Sequence, residues 1–114
     1  MSLSIQTQQV GDVHVVRCAG QITLGEPTSQ FRNTMRQLLK EGKKSVLLDL
    51  AKVSYLDSSA IGELVGSYTS ARSAGAQMKL LHLPPKIYDL LLITKLITVF
   101  ETFDDEAKAV RSFA

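Results

Sequence analysis

Only one cysteine, Cys18, stands in the 114 residues, which leaves no intramolecular disulfide and suits a reducing cytoplasm. It falls in a strand pattern, where a lone Cys behaves as a small buried hydrophobe. Histidine is scarce as well: His14 and His82 lie far apart, both in strand patterns, with no pair at helical spacing. That excludes the usual His-based metal sets. There is no G-x-S-x-G elbow to present a hydrolase nucleophile and no G-x-x-x-x-G-K loop to cradle a phosphate. The net charge is only +2, Lys43-Lys44 is the densest basic pair, and no basic stripe interleaves with aromatics. The electrostatic footprint of a nucleic-acid binder is therefore missing. Apolar runs are too short to span a bilayer, and no charged-then-apolar leader opens the sequence. These absences lead to the expectation of a cytoplasmic protein with no membrane insertion, metal, cofactor or enzymatic activity.

Hydrophobic residues make up 45% and charged residues 21% of the chain, the mix of an ordinary globular protein. A length of 114 residues implies a single domain over 1–114. A domain of that size buries about two thirds of its unfolded surface, so its core needs no metal or disulfide staple.

The chain is organised around Ser45 to Val65. Val46, Leu47, Leu48 and Leu50 form a nearly continuous apolar run, the pattern of a strand buried on both faces. Asp57-Ser58-Ser59 makes a polar corner, after which Ile61, Leu64, Val65 and Tyr68 recur at i, i+3, i+4 and i+7, one face of a helix. Before this stretch, Leu3 to Val10 and Val13 to Cys18 read as a hairpin turning at Gly11-Asp12, with Gly20 breaking the pattern and Ile22 ending it. Pro27 suits a first helical turn. Phe31, Met35, Leu38 and Leu39 mark that helix's inner face, and Gly42 its stop.

The second helix should run to about Ala74, with Gly75 in the left-handed terminating position. Gln77 to Leu83 is a further strand, Pro84-Pro85 punctuates it, and Ile87, Tyr88, Leu91 and Leu92 suggest a short helix. Val99 to Phe103 alternates as a half-exposed strand would. Asp104-Asp105 caps a last helix, with Ala107, Val110 and Phe113 on its inner face. The order β-β-α-β-α-β-α-β-α predicts an α/β fold: a small, mixed, mostly parallel sheet of four to five strands, with about four helices mainly on one side. Val46, Leu48, Leu80 and Val99 should lie on its central or paired strands. The apolar helix around Leu90, Leu91, Leu92 and Ile93 is either an end buried in the core or a surface that meets a partner.

The corner could host chemistry only with a base in reach of a serine, and neither histidine sits where one is wanted. Two hydroxyls at a helix start also serve as plain caps. Asp49, Asp57 and Glu63 could gather around a cation, but such carboxylates usually face water.

The stretch VLLDLAKVSYLDSSAIGELV resembles the signature of the bacterial anti-sigma factor antagonists, the STAS-domain family: a buried strand ending Asp-Leu, a short spacer with an aromatic, then Asp-Ser-Ser and an apolar helix. Gly20 with its loop, the Gly75 stop and the Pro84-Pro85 turn also fall where the family has them, so the resemblance covers nearly the whole chain. It implies a partner that is both an anti-sigma factor and a serine kinase. That kinase phosphorylates Ser58 to break the complex, and a serine phosphatase reverses the modification. Asp57, Ser58, Ser59, Ala60 and Thr23 are then the partner-binding residues. The alternative is a non-phosphorylated STAS subunit of a stress-signalling or lipid-transport assembly. A small-molecule or nucleotide-binding domain is a third reading.

Two positions depart from the family pattern. Ala60 stands where Gly is common, and Ala favours helix by about 1 kcal/mol. The loop after Gly20 reads Gln21-Ile22-Thr23 where an acidic residue is frequent. Both positions belong to the partner site that the resemblance implies.

Overall fold

The computed structural model describes residues 2–113. The chain runs β1 (Leu3–Val10), β2 (Val13–Ile22), α1 (Glu26–Lys40), β3 (Ser45–Leu56), α2 (Ser58–Ser73), β4 (Gln77–Leu81), α3 (Pro85–Ile93), a 3-10 turn (Leu96–Thr98), β5 (Thr102–Phe103) and α4 (Glu106–Arg111). The five strands lie in the order β1-β2-β3-β4-β5. The hairpin β1-β2 is antiparallel and the other three pairings are parallel. This is the mixed, mostly parallel sheet that the element order predicts. Among the described residues no helix is long and apolar enough to cross a membrane.

Strand residues alternate between two cores. Val16, Cys18, Val46, Leu48, Leu50, Met78 and Leu80 face one side, where Phe31 and Met35 of α1, Leu64 of α2 and Ile87 and Leu91 of α3 close over them. Val13, Val15, Leu47 and Leu81 face the other side and pack with Ala109 of α4. The run Val46–Leu50 is continuous because both faces of β3 are covered. Burial pushes the Cys18 thiol up to about 12, with the charge of Asp49 adding to the shift, so it is an inert core residue.

Polar groups fasten α4 to the sheet. Arg17 Nη1 donates to Asp49 Oδ2 at 2.9 Å and to Glu106 Oε1 at 2.8 Å. The buried Lys79 donates to the Ser112 carbonyl and to Ser112 Oγ, both at 3.0 Å, and lies 4.6 Å from the Phe113 ring centre. Of the expected inner face, Val110 and Phe113 pack with Ala109 against the sheet, and only Ala107 is corrected: it is exposed.

Four strand boundaries also differ from the sequence reading. β2 continues through Gly20 to Ile22, with register shifts on either side of Ala19 and Gly20. β3 extends six residues past the apolar run, because β2 keeps pairing with it (Ala19↔Lys52 to Ile22↔Leu56) after β4 has ended. Val99 lies in no strand: it caps the 3-10 turn, and β5 is confined to Thr102–Phe103. His82 likewise follows β4 rather than lying in it, with a positive φ of 56°.

Candidate functional site

The site is built where β3 hands over to α2. Asp57 has extended backbone and is the helix N-cap. Its Oδ1 accepts the Ala60 amide at 2.9 Å, satisfying a first-turn donor that has no partner in the helix. Its Oδ2 accepts the Leu24 amide at 2.8 Å, from the loop between β2 and α1. The Asp57 amide in turn donates to the Ile22 carbonyl at 3.3 Å. One carboxylate thus ties two segments, 33 residues apart, into a single corner. These hydrogen bonds, that from Leu24 first and that from Ala60 second, hold the Asp57 carboxyl below the usual carboxylate range.

Because Asp57 caps the helix, the serines do not, contrary to the cap reading of the two hydroxyls. Ser58 is the first helical residue and is exposed, while Ser59 is half-buried. Ala60 is 1% exposed, so its methyl belongs to the core and only its amide serves the corner. Thr23 is half-buried, and its carbonyl accepts the Thr28 amide at 3.1 Å.

Beside Ser58 opens a groove of about 580 Å³. Tyr55 and Leu56 of β3, Ile61 of α2, and Ile87 and Leu90 of α3 give it an apolar lining, and its charged lining residues are Asp57 and Lys86. Sequence reasoning missed Leu24, Tyr55 and Lys86. Leu24 is 77% and Tyr55 53% exposed, large apolar groups at the rim of a polar corner. For Tyr55 a signal existed, the aromatic in the spacer; for Leu24 and Lys86 there was none, because only the fold brings them here. The outer face of α3 also leaves Tyr88, Leu92 and Ile93 exposed, while Ile87 and Leu91 are buried. The helix therefore both packs on the core and presents an apolar surface.

The carboxylates that could have gathered around a cation do not meet. Asp49 pairs with Arg17, Asp57 holds the corner, and Glu63 of α2 pairs with Arg32 of α1. Among the described residues no group of three or more His, Cys, Asp or Glu is placed to hold a metal ion.

The Asp57 shift fixes the sign of a pH effect. A carboxyl whose folded pKa is depressed stabilises the fold fully above its unfolded value of about 3.9, and that stabilisation is lost as pH falls through the folded value. Asp57→Asn keeps one acceptor for Ala60 but offers the Leu24 amide an NH₂ group. It should therefore lower Tm at pH 7 by a few degrees, and the gap from wild type should close as pH falls from 4 toward 2. Thermal melts across that window check it, and a gap independent of pH would contradict the assigned hydrogen bonds.

Comparison with known proteins follows the same outline. The family model described as STAS domain matches residues 4–109. An anti-sigma F factor antagonist of Paenibacillus polymyxa is 23% identical over 111 residues, covering 96% of this chain and 94% of its own. An anti-sigma factor antagonist from Mycobacterium paratuberculosis superposes with a TM-score of 0.86 at 17% identity, covering 98% of this chain and 94% of that one. The Bacillus cell fate determinant SpoIIAA in its phosphorylated form gives a TM-score of 0.77 at 18% identity, covering 97% of this chain and 100% of that one.

Proposed function

The chain belongs to the STAS domain family, and on that footing we propose that it is an anti-sigma factor antagonist whose binding is switched at Ser58. Its partner is an anti-sigma factor that is also a serine kinase. The kinase moves the γ-phosphoryl group of ATP onto Ser58 Oγ, releasing ADP and the hydroxyl proton, and a serine phosphatase hydrolyses the ester. Asp57, Ser59, Thr23, and now Leu24 and Tyr55, form the docking surface around that hydroxyl.

One observation carries this reading: Ser58 is exposed at the first position of α2, outside the capping hydrogen bonds that hold the corner together. Its hydroxyl is available to a kinase without disturbing the fold. The modified form is tolerated too, since a helix N-terminus favours an anion. A partner packed over the same hydroxyl meets added bulk, about −1.5 to −2 charges and their desolvation cost. A structural neighbour described in a phosphorylated form lends support.

The test incubates the protein with its candidate kinase and ATP, maps the phosphate by mass, and titrates the complex. Wild type and Ser59→Ala should take up phosphate at residue 58. Ser58→Ala should fold within about 0.5 kcal/mol of wild type, bind the kinase, and resist release. Phosphorylation should weaken binding by about 2–5 kcal/mol, at least about thirtyfold. Phosphate on Ser59 alone, or undiminished affinity of the phosphoprotein, would sink the proposal. A second reading, a STAS subunit of a larger assembly, is favoured by the exposed Tyr88, Leu92 and Ile93 on α3. It requires binding that survives Ser58→Asp and is lost on Leu92→Asp.

A further inference from the structure

We propose that Lys86 is a built-in counter-charge for a phosphate on Ser58, drawn across the groove when that residue is modified. The proposal rests on the reading of Ser58 as the modified residue and adds the residue of this chain that receives the phosphate. Three observations converge on it.

The first is placement. Neighbouring parallel strands β3 and β4 lead into α2 and α3, and Ser58 and Lys86, each in the first turn of its helix, line one groove. The second is an unspent electropositive field. Neither first turn contains an acidic residue, and the single carboxylate at the groove, Asp57, already accepts the Leu24 and Ala60 amides. Asp57 balances the N-terminus of α2, whereas α3, whose N-cap Pro84 offers no side-chain acceptor, has no carboxylate to balance its dipole. The third is Lys86 itself. A cation in the first turn of a helix opposes the dipole, where an anion would be favoured. Lys86 forms no ion pair among the described residues, whose salt bridges belong to Arg17, Arg32 and Lys79. A local cost without a local partner is resolved by an anion arriving from outside the helix. A phosphate ester on Ser58 supplies one, with three acceptor oxygens.

The functional consequence is a second brake on the partner. Beyond repulsion, a lysine drawn toward the phosphate crosses the groove lined by Tyr55, Ile87 and Leu90 and competes with whatever side chain the partner inserts there. The pair is exposed, so it adds little to stability. Its effects fall on the acidity of the phosphate and on access to the groove.

The experiment places phosphoserine at position 58 by encoded incorporation, so it needs no kinase. The ³¹P signal is titrated in wild type, Lys86→Gln and Lys86→Arg. In wild type the second phosphate pKa should lie a few tenths of a unit or more below that in Lys86→Gln. Lys86→Arg should restore most of the shift, and high salt should erase it. Methyl signals of Ile87 and Leu90 should move on phosphorylation in wild type and much less in Lys86→Gln. Equal phosphate pKa values in wild type and Lys86→Gln overturn the inference, whatever the partner does. If instead the lysine shifts the phosphate but the phosphoprotein binds its partner undiminished, the functional proposal fails and the counter-charge stands.

Discussion

Replacing Phe31 with alanine is expected to cost about 3–5 kcal/mol of folding free energy. Phe31 is 1% exposed and lies on the face of α1 that also buries Thr28, Met35 and Leu38. Losing the ring removes apolar area from the core and leaves a cavity that α1, held at both ends by short loops, closes only in part. Since domains of this kind are stable by only about 5–15 kcal/mol, Tm should fall by more than about 10 °C. Urea titration followed by circular dichroism measures the loss. A cost below about 1 kcal/mol would mean that α1 does not pack on the sheet as described. An outward-facing control, Ile93→Ser, replaces a residue 78% exposed and should leave stability within about 0.5 kcal/mol.

Gly20→Val should be the second most damaging change, for a different reason. Gly20 sits inside β2 at φ 110°, and a Cβ there would fall 2.2 Å from the Ser2 carbonyl oxygen. The backbone conformation alone costs a β-branched residue about 1–3 kcal/mol. The contact then forces β1 away from β2 where Leu3 pairs with Gly20 and the Gln21 amide donates to Ser2. Loss should therefore appear both as a lower urea midpoint and as faster amide exchange at the start of β1. Gly62→Ala is the informative contrast. Gly62 is helical, has no positive φ, and its added methyl meets nothing within 4 Å, so about 0.5–1 kcal/mol of stabilisation is expected. If Gly20→Val melted with wild type, the strained approach of β1 would be refuted.

Local pattern in the sequence determined much of this protein. The run Val46–Leu50 announced a strand covered on both faces, and Asp57 stood where a helix wants a cap. Gly42 and Gly75 marked helix ends, and both have positive φ, 79° and 74°. Such features depend on residues within a few positions of one another, which is why periodicity and capping chemistry reveal them. The resemblance of Asp57-Ser58-Ser59 and its flanking strand to the STAS signature is local in the same way.

Only the tertiary structure decided the rest. β3 reaches Leu56 because β2 runs on beside it through register shifts at Ala19 and Gly20, a pairing that exposed residues such as Lys52 and Tyr55 cannot announce. Val99 alternates like a strand residue, yet β5 pairs with β4 at only Leu80↔Thr102 and Leu81↔Phe103, and an unpaired segment does not stay extended. Ser58 is free of capping because Asp57 bonds Ala60 and, across the fold, Leu24. Lys86 shares a groove with Ser58 because β3 and β4 are neighbours. A hydrogen bond or groove between distant segments exists only once strand order brings them together, and strand order is a property of the whole chain rather than of any window of it.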